Sequence, residues 1–239
     1  GDINIFAKKI TAPNIAVTGS NAKTTVVSLL GEMAKKAGVD AVVAGNIGMP
    51  VLDLLNKGLH KLYVLEISSF QLETTKELGA EVACVLNISA DHMDRYDSMQ
   101  DYHAAKHRIF QACKQVVVNR DEPLTKPLLP AAVKQWSYGL EEGDINEFGI
   151  IENRGDFYLA FNQEILIAVN EIKISGRHNL SNALAALTIG HAAGIDMPAM
   201  LQALREFSGL PHRCQWITEL AGVSYYNDSK GTNVGACKA

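Results

Sequence analysis

No stretch of this 239-residue sequence stays apolar long enough to cross a bilayer, and no secretory leader opens it. A cationic surplus is absent too. Its 22 Lys and Arg stand against 26 Asp and Glu, giving a net charge of −4 and a pI near 6.0. That balance argues against a protein that coats nucleic acid or anionic lipid. The four cysteines, Cys84, Cys113, Cys214 and Cys237, are scattered. They form no C-x-x-C pair and no Cys/His cluster, so nothing suggests zinc, and a reducing cytoplasm fits them. Cys84, inside an apolar run, reads as inert packing. Internal repeats and low-complexity segments are also missing. What remains is a chain with 47% hydrophobic residues, ample for one core of about two hundred residues. Its opening, Gly1-Asp2-Ile3-Asn4-Ile5, lacks Met and reads as cut from something longer.

The stretch Gly19-Ser20-Asn21-Ala22-Lys23-Thr24-Thr25 organises the rest. Ile15-Ala16-Val17 before it is a short β-branched apolar run, the pattern of a buried strand. After it, Val26, Val27, Leu29, Leu30, Met33, Ala34 and Ala37 recur at helical spacing. Strand, small-residue loop, then helix is the layout of a phosphate-binding loop. Small residues let backbone N–H groups turn towards an anion, and the helix start adds the positive end of a dipole. Lys23 is placed to reach the outer phosphates, and Thr24 to hold Mg²⁺ through its hydroxyl. The pattern departs from G-x-x-x-x-G-K-[ST] at Ala22, which holds the place of the second glycine. If the loop needs a positive φ there, alanine makes it strained.

The first half then alternates strands and helices. Gly38 reads as a helix stop, Val39 to Ala44 as a strand, and Gly45-Asn46-Ile47-Gly48 as a tight turn before a short helix opened by Pro50. Strands are expected at Leu62 to Leu65, Val82 to Leu86 and Gln115 to Asn119. A polar loop spans Asn87 to Tyr96, and a helix Asp101 to Cys113. This alternation predicts an α/β fold, a three-layer domain with a mostly parallel sheet whose ligands bind beyond the carboxyl ends of the strands. Residues 145 to 174 change character. A hairpin around Asn153 to Asp156 and a strand at Ile165 to Ile167 predict a small antiparallel edge patch. Helices follow at His178 to Ala193 and Pro198 to Phe207. Leu210 to Arg213 reads as a linker. Gln215 to Leu220 and Val223 to Tyr226 alternate as paired strands that cannot bury a core of their own.

Several polar residues fall at those carboxyl ends. Glu66 is placed to complete a Mg²⁺ shell with Thr24, or to stand as a strand-end carboxylate held by a helix start. His92, within Asp91-His92-Met93-Asp94-Arg95, suits a metal or a phosphate, though the segment also reads as a solvated loop. By spacing alone Lys106 is a surface lysine. Asn179 and Asn182, three apart, share one helical face; they suit a base or ribose equally with a helix cap.

Six motifs taken together resemble the Mur ligases. They are the loop from Thr18 to Thr25, Gly45-Asn46-Ile47-Gly48, Leu65 to Glu73, Asp91 to Tyr96, Gly176 to Ala183, and Asn227-Asp228-Ser229-Lys230-Gly231-Thr232-Asn233. The likeness covers nearly the whole chain. It is greatest to the members that add D-glutamate to UDP-N-acetylmuramoyl-L-alanine in peptidoglycan synthesis. It implies ATP-dependent amide-bond formation through an acyl-phosphate, with ATP and two Mg²⁺ ions. Carried over residue by residue, it assigns Gly19 to Thr25 to the nucleotide phosphates, and Thr24, Glu66, His92 and Lys106 to the metals, with Lys106 as a carbamylated lysine. Catalytic roles fall to Lys23, Glu66, His92 and Lys106. Asn46, Ser68 and Gln71 face the UDP-sugar, and Asn179, Asn182, Arg213 and Asp228 the nucleotide. Lys230 and Thr232 match the glutamate-facing edge.

The resemblance further implies a central ATP-binding domain over 1–209, then a linker and the first strands of a truncated Rossmann-like domain over 210–239. A uridine-binding domain ahead of Gly1 and most of a glutamate-binding domain would be missing. Such a fragment is expected to be monomeric, cytoplasmic, and inactive in ligation by itself. Two other readings stand beside this one: another Mur or folylpolyglutamate-type ligase, and a non-catalytic P-loop nucleotide-binding module.

Overall fold

The computed structural model describes residues 1–231 and 233. The elements run α1 (Asp2–Ala7), β1 (Asn14–Thr18), α2 (Lys23–Lys36), β2 (Ala41–Gly45), α3 (Val51–Leu54), β3 (Leu62–Glu66), α4 (Ser69–Glu73) and β4 (Val82–Val85). After them come α5 (Met99–His107), β5 (Gln115–Asn119), β6 (Lys134–Tyr138), β7 (Glu147–Asn153), β8 (Asp156–Phe161) and β9 (Glu164–Ala168). The chain continues through α6 (Arg177–Ala192), α7 (Met197–Glu206), β10 (Gln215–Leu220) and β11 (Val223–Asn227).

Nine strands form one sheet in the order β2-β3-β1-β4-β5-β6-β7-β8-β9, and β10 pairs with β11 separately. The pairings from β2 across to β7 are parallel, while β8 and β9 run antiparallel at the edge. The period of two along each strand builds the layers. Ile15 and Val17 point to one face, with Val64, Cys84 and Val117, where α2, α6 and α7 pack. Ala16 points to the other, with Tyr63, Leu65, Ala83 and Val118, against α1, α3, α4 and α5. Both faces of the central strands are therefore buried, which is why they read as unbroken apolar runs.

The expected strands β1 to β5, the edge hairpin and the β10–β11 pair are all present. Gly38 sits just past α2 at φ 69°, the left-handed position that ends helices. Four points differ, the first being α4 (Ser69–Glu73), a short helix that no apolar periodicity announces. The helix expected over Asp101 to Cys113 is α-helical only from Met99 to His107, and a 3₁₀ turn covers Arg108–Phe110. Ser98 starts it earlier, its hydroxyl accepting from the Asp101 N–H. Strand β6 went unread because its first half is exposed and polar; only Trp136, Ser137 and Tyr138 are buried. Helix α1 went unread because it is six residues long and buries only Ile3 and Phe6.

Candidate functional site

Strand β1 lies between β3 and β4, so the chain leaves it at the point where the connections part to either side. The phosphate loop occupies that crevice. Its shape is set by the segment after β4. Asn87 O accepts from Ser20 N at 3.0 Å. The Asn87 amide accepts from Asn21 N at 2.8 Å and donates to Asn21 O at 3.2 Å. Ser20 Oγ donates to Ser89 O at 2.9 Å, accepts from Ser89 N at 3.0 Å and shares a hydrogen bond with Tyr102 OH at 3.1 Å. Ala22 takes φ 67° as the residue that caps α2, so the strain expected of alanine there is present.

Two lysines meet on one carbonyl. Lys23 Nζ donates to Gly19 O at 2.7 Å and to Ser20 O at 3.0 Å. From the far side, Lys106 Nζ donates to the same Gly19 O at 2.9 Å and lies 4.5 Å from the centre of the Tyr102 ring. Lys106 is only 2% exposed, so the surface position that spacing suggests is corrected. A sequence signal exists. Tyr102, Ala105, Lys106 and Ile109 are all buried and stand at i, i+3, i+4 and i+7, so Lys106 belongs to the apolar stripe of α5. Burial, with repulsion from Lys23, lowers its pKa to about 7 against the pull of Asp91. Burial also lowers that of Lys23, with Arg213 adding to the effect while Glu66 and Asp91 oppose it. Asp91 is thus the counter-charge of both ammonium groups, a role that motif reading did not single out.

Glu66 ends β3 at 1% exposure. It is reached because β2 ends in Gly45, φ 108°, where any Cβ would collide with the Glu66 carbonyl. Asn46 Nδ2 then donates to Glu66 Oε1 at 2.9 Å. Oε2 is buried without a hydrogen-bond partner among the described residues. An orphaned buried carboxylate oxygen is costly, and a hard cation is the partner that suits it. Glu66 therefore fits Mg²⁺. Thr24 Oγ1 accepts from Arg213 Nη2 at 3.0 Å, so a cationic group already sits on the hydroxyl.

His92 is not drawn into this group. Its φ is 56°, its side chain is 48% exposed, and its ring rests on Phe70, 5.0 Å between centroids. Among the described residues no three His, Cys, Asp or Glu side chains converge on one point. Ser68 and Gln71 turn to each other. Ser68 N donates to Gln71 Oε1 and Gln71 N to Ser68 Oγ, a capping box that starts α4.

Beyond the loop opens a cleft of ≈ 960 Å³. Asn21, Ala22, Thr25, Asn179, Asn182, Arg213, Asp228 and Lys230 all line it, as do Asn119 and Trp216, which motif reading missed. Asn182 Nδ2 donates to Asn179 Oδ1 at 3.2 Å, and Asn179 Nδ2 to Ser175 O at 2.8 Å, so the pair also secures the start of α6. Asp228 Oδ1 accepts from Cys214 N at 3.1 Å. Cys84 is fully buried, and burial raises its pKa, in keeping with inert packing. Thr232 and Cys237 lie outside the described residues.

The model of the Mur ligase middle domain matches residues 17–190. The UDP-N-acetylmuramoylalanine–D-glutamate ligase of Pseudomonas aeruginosa is 59% identical over all of this chain and 53% of its own length. The ligase of the same name from Hahella chejuensis is 50% identical over the same shares. Thus the chain spans about half the length of the curated relatives it matches. Among solved structures, a UDP-N-acetylmuramoyl-L-alanyl-D-glutamate–2,6-diaminopimelate ligase aligns over 87% of this chain and 49% of its own, with 27% identity and a TM-score of 0.71. MurF from Acinetobacter baumannii aligns over 100% and 55%, at 20% identity and a TM-score of 0.77, a likeness of fold. With its middle-domain match reaching from the first core strand into α6, the chain belongs to the Mur ligase family.

Proposed function

We propose that this chain is the nucleotide-binding and phosphoryl-transfer part of a ligase that uses ATP to join D-glutamate to UDP-N-acetylmuramoyl-L-alanine. The observation that carries the reading is the pairing of Lys23 and Lys106 on the Gly19 carbonyl, with Glu66 Oε2 left unpartnered at the end of β3. A carboxylate oxygen is a poor leaving group. Transfer of the γ-phosphoryl group to the acceptor carboxylate makes an acyl-phosphate, which the amine of D-glutamate attacks. Phosphate then leaves from the tetrahedral intermediate. Several anions must approach one another, so fixed cations stabilise the transition state most. Lys23 binds the outer phosphates, and the loop N–H groups hold the rest.

Mg²⁺, when bound, would neutralise charge between phosphate oxygens; Thr24 and Glu66 would hold one ion, and His92 and Lys106 a second. Lys106 would serve as a carbamate, formed when its neutral amine adds to CO₂ and releases a proton. Its burial and its place beside Lys23 keep the amine partly neutral near pH 7. Asn179, Asn182, Arg213 and Asp228 would face the nucleotide across the cleft. Asn46, Ser68 and Gln71 would face the UDP-sugar, and Lys230 and Thr232 the glutamate. A cytoplasmic, monomeric enzyme suits these substrates.

The test pairs a structure with an assay. Crystals grown with an ATP analogue and Mg²⁺ should show phosphates at Lys23 and extra density on Lys106 Nζ. The full-length protein containing this sequence, offered several UDP-muramoyl acceptors and amino acids, should release phosphate only with UDP-N-acetylmuramoyl-L-alanine and D-glutamate. ATP turnover without an acceptor would favour a plain nucleotidase, and a different preferred pair another member of the family.

A further inference from the structure

Strands β10 and β11 carry two aromatic rings to which the ligase reading gives no role. Trp216 and Tyr226 stand directly opposite each other in the antiparallel pair. Both side chains therefore leave the same face of the hairpin, with Cβ atoms about 5 Å apart. That face is the one turned to the ≈ 960 Å³ cleft, which both residues line. Tyr225, one position earlier on β11, points to the other face and does not line it.

Neither ring is covered. Trp216 is 57% exposed and Tyr226 59%. Among the described residues neither touches another aromatic ring, meets a cation over its face or forms a hydrogen bond through its polar tip. From the central domain Leu140 and Ile174 line the same cleft, and both pack onto the core behind it. A flat ring entering the cleft thus finds apolar side chains on two separate elements. The phosphate end is near. Arg213 holds Thr24 of the phosphate loop, and three residues, at most about 10 Å of chain, separate Arg213 from Trp216. That is within the span of a nucleoside triphosphate.

We propose that Trp216 and Tyr226 form the base platform of the cleft, Trp216 stacking on the purine ring of ATP and Tyr226 widening the surface beneath it. The proposal rests on the ligase reading for the identity of the nucleotide and adds the residues that grip its base. Every base has a π-face, so a platform of this kind works by stacking strength and not by hydrogen-bond readout. It therefore favours purine over pyrimidine triphosphates without telling adenine from guanine.

The test uses fluorescence and calorimetry with Mg²⁺ and either a non-hydrolysable ATP analogue or inorganic tripolyphosphate. The chain has two tryptophans. Trp136 is 8% exposed, against His191 and Phe161, so a change in emission on binding reports on Trp216. The ATP analogue should quench the parent, and tripolyphosphate should bind without quenching. Trp216→Ala should bind the ATP analogue about tenfold more weakly, keep its affinity for tripolyphosphate within twofold and melt as the parent does. Trp216→Phe should recover most of the lost affinity. An ATP analogue that binds the parent without quenching would overturn the platform alone, as would undiminished affinity in Trp216→Ala, in this chain or in the full-length protein containing it. A parent that binds neither probe would overturn the ligase reading, and the platform with it.

Discussion

Lys106 shows how a single buried charge makes stability depend on pH. In the unfolded chain its amine holds a proton until about pH 10.5, in the folded chain only until about 7. Below 7 both states are charged, and the folded state bears the full cost of a buried cation. Between those values the folded state binds fewer protons than the unfolded state, so stability rises with pH across this window. Lys106→Met removes the cost along with the hydrogen bond to Gly19 O, which Lys23 still holds. Its unfolding free energy should therefore exceed the parent's by roughly 2–4 kcal/mol near pH 6. The gap should close by about pH 10.5, while ligation by the full-length protein is lost. Denaturant melts from pH 6 to 10 check this, and an offset that ignores pH would refute the assignment. On the proposed carbamate reading, the same sign would govern activity. CO₂ adds only to the neutral amine, so ligation should fall as pH drops below 7 and recover in part with added bicarbonate.

At the scale of elements, the loop between β1 and α2 departs from local preference where function would require it. Ala22 at φ 67° costs about 1 kcal/mol relative to glycine. Ala22→Gly should raise the unfolding free energy by about that amount and leave nucleotide affinity within twofold. Asn87, by contrast, sets the loop's shape with two side-chain bonds to Asn21. Asn87→Ala leaves two part-buried backbone groups unpaired, at about 1–3 kcal/mol, and should weaken nucleotide binding several-fold by calorimetry. How far sequence reached follows the same division. Strands β1 to β5 were legible because they are buried on both faces and read as apolar runs. Strand β6, half exposed, was not. The strand–loop–helix layout around Gly19 to Thr25 was legible because its pattern is local: small residues, then Lys-Thr, at a helix start. Asp91 and Asn87 were not, because their partners Lys23, Lys106 and Asn21 lie 15 or more positions away, and only the parallel sheet brings them together. Ser68 and Gln71 carry a local capping box that the family likeness alone would have read solely as substrate contact.

At the scale of the whole molecule, the chain closes on itself over the phosphate loop. Arg213, in the linker after α7, donates to Thr24 Oγ1 across 189 positions. Asn233 Nδ2 donates to Asn21 Oδ1 at 3.1 Å and to Asp91 Oδ2 at 3.2 Å. The β10–β11 hairpin between them lays Trp216 and Tyr226 along the cleft, with Asp228 just past its end, and leaves Leu220 and Val223 exposed at its tip. On the proposed reading, the guanidinium on the threonine hydroxyl takes the place where a phosphate-bound cation would settle, and nucleotide would move Arg213 from Thr24 onto phosphate. That exchange is favourable, because an Arg–phosphate contact pairs two ionised groups and can be bidentate, whereas the threonine hydroxyl is neutral and accepts one bond. Arg213→Ala should then weaken binding of an ATP analogue to this 239-residue chain about tenfold, near 1.4 kcal/mol. Arg213→Lys should restore little of it, since an ammonium lacks the planar fork. Hydrogen exchange supplies the structural readout. Nucleotide should slow exchange across β10 and β11 in the parent and leave the hairpin unchanged in Arg213→Ala. Equal affinity in the two proteins, or a hairpin indifferent to nucleotide in the parent, would mean that the Arg213–Thr24 contact is a resting place with no part in closure.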